Sequence, residues 1–165
     1  ALVHGDIDIA ILFDPYQEGD SLRVLHRSPS PVEFIAAIDS PFAHRPVQLH
    51  ELVDSTWVLT QRGTNYRKKL EEDLAERGLY LRDRVEIGTS KTFIDFVAAG
   101  LGLSILPAVT VADAVREGRI AVVHVEDYEI AMQLQILAAG ERWLPHPLAL
   151  LAEDFARGLA EEGRE

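Results

Sequence analysis

Apolar residues in this chain fall into short extended runs that alternate with stretches of helical period. "DIDIAILF" (6–13) alternates and then becomes continuously apolar, the pattern of a strand entering a parallel sheet covered on both faces, and Asp14-Pro15 ends it. "LRVLHR" (22–27) and "VEFIAAI" (32–38) are two more extended runs. Between them lies Ser28-Pro29-Ser30-Pro31, whose prolines hold the residues before them extended. "VQLHELVDS" (47–55) predicts a short amphipathic turn of helix ahead of the strand "TWVLT" (56–60).

In "GTNYRKKLEEDLAERGL" (63–79), Tyr66, Leu70 and Leu74 repeat at i+4, and Gly78 sits where a helix-terminating glycine belongs. The strand "RVEIG" (84–88) follows, then a helix from about Ser90 to Ala99 and the strand "LSILP" (103–107). "AVTVADAVREG" (108–118) predicts a helix with Val111, Ala112 and Val115 on one side and a stop at Gly118. "RIAVVHV" (119–125) and "IAMQLQILAAG" (130–140) are strands. In a last helix from about Pro147, Leu148, Leu151, Ala152, Phe155 and Leu159 form a single-faced stripe, and the "EEGRE" tail is expected to fray. Alternating strands and helices without repeats predict an α/β fold with largely parallel sheets.

"VAAGLGLSILPA" (97–108) is uncharged but too short to cross a bilayer, which takes about 20 apolar residues. It reads as a joint: Gly100 ends one helix in the left-handed conformation, and Leu101 folds back over the cap. Gly102 then permits a tight turn into the strand, and Pro107 opens the next helix.

A hydrophobic content of 47% is enough to build cores, and 165 residues suit one domain or two small lobes. The absence of cysteine excludes disulfides and thiolate metal sites and fits a reducing compartment. No secretory leader precedes "ALVHGDIDIAILF", which begins inside an apolar pattern and reads as part of a longer protein. Net charge is −11, and the densest cationic group, Arg62, Arg67, Lys68 and Lys69, runs straight into Glu71, Glu72 and Asp73. This segment is therefore not expected to bind nucleic acid itself.

The six histidines show no ligand spacing, so no metal is expected. No nucleophile elbow, Walker loop or dinucleotide turn is present. "AGLGLS" follows a helix and precedes a strand, the reverse of a dinucleotide turn. No cofactor and no catalysis are implied. Two stretches remain chemically pointed, "TQRGTNYR" (60–67) and "GTSKT" (88–92), each a strand end, a polar turn and a helix start. Ligands of open α/β sheets collect at such carboxyl ends, and helix-start amides suit an anion. The hydroxyls of Thr64 and Ser90 have two compatible uses there, capping their helices and touching a ligand.

Together these pieces resemble the effector-binding domain of LysR-type transcriptional regulators. "GDIDIAILF" is similar to the family's G-[ED]-[IL]-D-[LV]-A-I strand, and "DSPFAHRPVQLHEL" (39–52) to its crossover into the second lobe. "RGTNYRKKLEEDLAERGL" (62–79) resembles the helix after that lobe's opening strand. "VAAGLGLSILPAVTV" with "VREGRI" is similar to the family's V-x-x-G-x-G-[IL]-[AST]-[IL]-[IL]-P segment and the helix after it. "PLALLAEDFARGL" (147–159) resembles the helix that returns to the first lobe.

The resemblance implies two Rossmann-like α/β lobes of the type 2 periplasmic-binding-protein kind, joined by two crossover strands. Residues 1–34 and 128–165 would form the first lobe and 35–127 the second, with a small-molecule cleft between them. Hinge motion would concentrate near Val32–Ile38 and Glu126–Ile130. The family's domain normally opens with a further strand and helix, the strand and the turn after it supplying part of the pocket, preceded by a winged helix-turn-helix; neither is in this chain.

The function implied is sensing of a small, anionic effector by a cytoplasmic, homo-oligomeric regulator that meets DNA only through that missing domain, without any membrane. The expected contacts are Thr60, Gln61, Arg62, Thr64 and Arg67 from one turn and Thr89, Ser90 and Thr92 from the other. Arg62 and Arg67 are not separable by sequence as the paired donor to a carboxylate. Tyr66 and Phe93 offer apolar walls, core packing being the more ordinary role for Phe93. A solute-binding protein of a transport system is the alternative on the same fold.

Overall fold

The chain divides into two compact units, Ala1–Ser30 with Ala131–Glu165, and Pro31–Ile130. A computed structural model describes residues 2, 6–14, 21–60, 63–87, 90–140 and 143–162, with the helical backbone alone at 90–92 and 159–162. In order, the elements are β1 (Ile9–Asp14), β2 (Leu22–Pro29), β3 (Val32–Ala37), α1 (Leu49–Leu52), β4 (Thr56–Thr60), α2 (Asn65–Glu76) and β5 (Asp83–Ile87). Then come α3 (Ser90–Ala98), β6 (Ser104–Pro107), α4 (Ala108–Arg116), β7 (Ile120–Val123), β8 (Gln133–Ala139) and α5 (His146–Glu162). Residues 31–34 and 128–130, placed with the first lobe from the sequence, group with the second unit. The reason is β3, which is paired along both edges inside that unit's sheet.

In the first unit β8 lies between β1 and β2 and runs antiparallel to both, with Ile136 opposite Ile11 on one side and His26 on the other. Leu134 to Ala139 are buried, as befits the central strand. The parallel, doubly covered setting expected for "DIDIAILF" is not found: β1 is antiparallel and Ile11 is 46% exposed. On α5 the predicted stripe shares one face, but of its described side chains only Ala152 is buried. Leu151 and Phe155 border an open apolar groove with Ile7, Ile9, Ile11 and Ile136.

The second unit joins two ladders into one sheet. β4 pairs with β5 in parallel, and β3 pairs with β6 and β7 in antiparallel. A parallel bridge, Trp57 to Leu103, links them: the Val58 N–H donates to the Leu103 carbonyl at 2.7 Å and the Leu103 N–H to the Thr56 carbonyl at 2.9 Å. The order is therefore β5-β4-β6-β3-β7, with β3 alone running against its neighbours. The largely parallel expectation holds for this sheet except at β3, the strand by which the chain arrives from the first unit. Pairing with β6 over Val32–Ile35 and with β7 over Phe34–Ala37 places this stretch inside the second unit's sheet.

Alternation along the strands feeds two apolar layers, one on each face of this sheet. On one face Ile35, Val58, Leu106 and Ile120 meet Phe93 and Val97 of α3 and Val111 and Ala114 of α4. The inward alanine of α4 is thus Ala114; Ala112, expected there, is exposed. On the other face Trp57 is fully buried, stands edge-on to Phe34 at 6.1 Å and donates its indole N–H to the Leu52 carbonyl at 3.0 Å.

Three helices, α2, α3 and α4, stop at Gly78, Gly100 and Gly118 with φ of 70°, 75° and 68°. At Gly100 the two bonds of a Schellman cap are present, Gly100 N–H to the Val97 carbonyl and Leu101 N–H to the Phe96 carbonyl. Leu101, the residue after the cap, is 51% exposed. Gly102 is required by close approach: a Cβ there would lie 2.5 Å from the Thr56 carbonyl oxygen.

The segment after β7 is tied to both neighbouring helices. Asp127 accepts the Leu49 N–H at 2.8 Å at the start of α1, and its other oxygen pairs with Arg77 at 3.2 Å. The Tyr128 hydroxyl donates to Asp73 at 2.8 Å, and the Arg77 guanidinium lies over the Tyr128 ring at 5.0 Å. Burial, together with the bond to Asp73, pushes the Tyr128 phenol well above its ordinary value.

Three outcomes follow from these contacts. Gly102→Ala should cost about 1–3 kcal/mol by forcing strands apart, and Gly100→Val about 1–2 kcal/mol through its positive φ, both read by urea unfolding. Because the folded phenol of Tyr128 is raised, its contribution is complete below the unfolded value and is lost as pH climbs above about 10. Unfolding at pH 8 and pH 11 should show Tyr128→Phe with a shallower alkaline loss than the parent.

Candidate functional site

β4 and β5 pair in parallel from Thr56 opposite Asp83 to Thr60 opposite Ile87, so both strands end at the same level. Parallel neighbours need a crossover connection, and the apolar face of α2, Tyr66, Leu70 and Leu74, supplies it. The two polar turns singled out in the sequence therefore start side by side, on strands about 4.8 Å apart. This is the edge of an open α/β sheet at which ligands are held.

Thr60 closes β4, and its hydroxyl lies 2.8 Å from the hydroxyl of Thr64. Thr64 takes the extended N-cap conformation ahead of α2, at φ −75° and ψ 134°, but its side chain makes no capping bond. The sequence alternative of a simple cap is thus replaced by a hydroxyl pair that bridges the turn. Gln61, Arg62 and Thr89 lie outside the described residues. Ser90 and Thr92 lie in the first turn of α3, where only the backbone is described.

Arg67 has a different setting from the one expected of a ligand donor. It is 1% exposed, and among the described residues it is the one buried charged side chain. Its Nε donates to Glu71 at 3.0 Å, one Nη donates to Glu86 at 2.7 Å, and the other Nη donates to the Thr60 carbonyl. Burial opposes the charge, while the Glu86 and Glu71 carboxylates favour it and leave the guanidinium above its ordinary value. Arg84 adds a longer contact to Glu71 at 3.7 Å.

Glu71 and Glu86 were not singled out from the sequence. Arg67 and Glu71 had a readable signal, the i, i+4 spacing of a helical ion pair. Glu86 had none, since its place beside Leu59 depends on the register of two strands distant in sequence. Of the apolar walls, Phe93 is buried in the core with Ile35, Val58 and Val97, and Tyr66 is 9% exposed on α2. Among the described residues no cluster of metal-binding side chains occurs, and no helix is long and apolar enough to cross a membrane.

Two α/β units, one presenting adjacent strand–turn–helix ends, define a two-lobed domain of the type 2 periplasmic-binding-protein kind. The profile of the LysR substrate binding domain matches residues 1–160, and the chain belongs to that family. It is 31% identical over 148 residues to the uncharacterized HTH-type transcriptional regulator YwqM of Bacillus subtilis, covering 89% of this chain and 50% of that protein. The regulatory domain of CcmR from Synechocystis PCC6803, solved in complex with 2-PG, superposes with a TM-score of 0.78 at 17% identity, covering 96% of this chain and 76% of that one. The effector binding domain of QuiR, in complex with shikimate, gives 0.71 at 15% identity, covering 94% of this chain and 72% of that one. These structural likenesses show the fold. The chain spans about half the length of the curated relatives it matches.

The burial of Phe93 has a direct test. Phe93→Ala should cost about 3–5 kcal/mol in denaturant unfolding, the signature of a core residue and not of a ligand wall.

Proposed function

We propose that this chain is the ligand-sensing part of a LysR-type transcription regulator, and that it holds a small anion at the turns that follow β4 and β5. The observation that carries this reading is the family match over residues 1–160. The parallel register of β4 and β5 supports the place, since it puts both turns at one sheet edge. Two structurally similar domains were solved with small ligands, CcmR with 2-PG and QuiR with shikimate, and shikimate is a carboxylate.

The contacts are Thr60, Gln61, Arg62 and Thr64 from the first turn and Thr89, Ser90 and Thr92 from the second. Hydroxyls and helix-start amides hold the anion. Arg62 is the paired donor, because three nitrogens of Arg67 are already committed to protein acceptors. With a net charge of −11, the chain leaves DNA contact to another part of the regulator, which works in the cytoplasm as a homo-oligomer. The effector changes the regulator's state only by binding one conformation more tightly than another. No catalytic step is part of this role.

A thermal-shift series with 2-PG, shikimate, benzoate and inorganic phosphate tests it. At least one should raise the melting temperature in proportion to its occupancy, a ligand at 100 times its Kd adding about 2.7 kcal/mol. Thr64→Ala and Ser90→Ala should each reduce that shift, weakening binding by about tenfold for a lost bond of about 1.4 kcal/mol. Both should stay folded without ligand. Parent-like shifts in both variants would rule out these turns, and no shift from any of the four would rule out the anion preference.

A further inference from the structure

We infer that residues 124–129 form a strap that opens as a unit of its own, ahead of the sheet beside it, and that Arg77 and Tyr128 are its fastenings. The strap is independent of the anion and of the turns proposed to hold it.

It runs between two buried anchors, Val123 at the end of β7 and Ile130, the last residue of the second unit. Between them no side chain is fully buried: His124, Glu126, Asp127 and Glu129 are exposed, and Val125 and Tyr128 are half-buried. Opening such a stretch uncovers little apolar surface, so it costs far less than unfolding the sheet. What holds it is a row of polar contacts. The Val47 N–H donates to the His124 carbonyl at 3.0 Å, and the Glu126 N–H donates to the Val47 carbonyl at 2.9 Å. Gln48 donates to Glu126 at 2.9 Å, and the Leu49 N–H to Asp127 at 2.8 Å.

Those bonds join the strap to the start of α1; two residues join it to α2. Arg77, the C-cap of α2, donates from one Nη to the Asp127 carboxylate and from the other to the Asp127 carbonyl, both at 3.2 Å. Its fork of donors thus grips side chain and backbone of one residue at once, while its guanidinium lies over the Tyr128 ring. Tyr128 donates its hydroxyl to Asp73 and stands edge-on to Phe34 at 6.1 Å. The segment that leaves the second unit therefore has two states, fastened and open. A ligand or partner shifts their balance only by binding one of them more tightly.

Residue-resolved amide exchange on the full chain, without ligand, tests the strap. Between zero and about 1 M urea, the Val47, Leu49 and Glu126 amides should hardly respond, since the urea slope scales with the surface that opening exposes. The Val58 and Leu103 amides, bonded between β4 and the start of β6, should speed up with urea. A shared urea response would mean that the strap opens only with the whole unit, which overturns the inference. Arg77→Gln and Tyr128→Phe should each speed the three strap-bound amides about fivefold, with Val58 and Leu103 within about twofold of the parent. Parent-like rates at those three in both variants, or equal acceleration of all five, would remove the fastening role. Should Arg77→Gln fail to fold, sodium chloride at about 1 M takes its place, because it screens the exposed Arg77–Asp127 pair. It should speed the three amides relative to Val58, and no change there would overturn the part given to Arg77.

Discussion

Parallel pairing of β4 with β5, level at Thr60 and Ile87, is the constraint from which the second unit's architecture follows. A parallel pair cannot be closed by a hairpin, so the chain must return along α2. That return covers one face of the sheet, and α3 and α4 cover the other with Phe93, Val97, Val111 and Ala114. Sheets covered on both faces need strands that are apolar on both sides, which is what "TWVL" and "LSIL" provide. The same pairing sends two polar turns out of one edge. Packing and the level ends of the two strands are thus consequences of one register.

Charge at that edge is more balanced than the sequence suggests. Arg67 is offset by Glu71 and Glu86, each within hydrogen-bond distance. A buried charge without such partners would carry a desolvation cost of several kcal/mol. The surrounding chain, at −11, repels anions at long range, but a Debye length of about 8 Å at physiological salt confines that repulsion. The anion recognition proposed for these turns would rest on donors at contact distance: helix-start amides, hydroxyls and Arg62.

The first unit is built on the opposite principle. Its central strand β8 runs against both neighbours, and the apolar residues of β1 and α5 line an open groove instead of a closed core. In each unit the strand that follows a unit boundary, β3 or β8, is the one that opposes its neighbours. Strand direction in both sheets is set by where the chain passes from one unit to the other.

Local chemistry was legible in the order of residues. Period-two and helical-period runs located every described strand and helix to within a few residues. Gly78, Gly100 and Gly118 marked three helix ends, because only glycine takes a positive φ without a Cβ clash. Two strand–turn–helix junctions were visible as Thr60–Arg67 and Gly88–Thr92 for the same reason: turn and cap residues act on their immediate neighbours. Strand direction was not legible, since an apolar run buried on both faces reads the same whichever way its neighbours point. Nor was the face of α4, where Ala112 and Ala114 are chemically identical and only packing chooses Ala114. The roles of Thr64 and Arg67 were decided last. A threonine before a helix reads as a cap and an arginine beside it as a ligand donor, until the fold brings the Thr60 hydroxyl to one and the Thr60 carbonyl and Glu86 to the other. Sequence alone determined the elements and the turns, whose causes lie within a few residues; tertiary structure decided direction, register and the use of each polar group, because those depend on partners brought together only when the sheet closes.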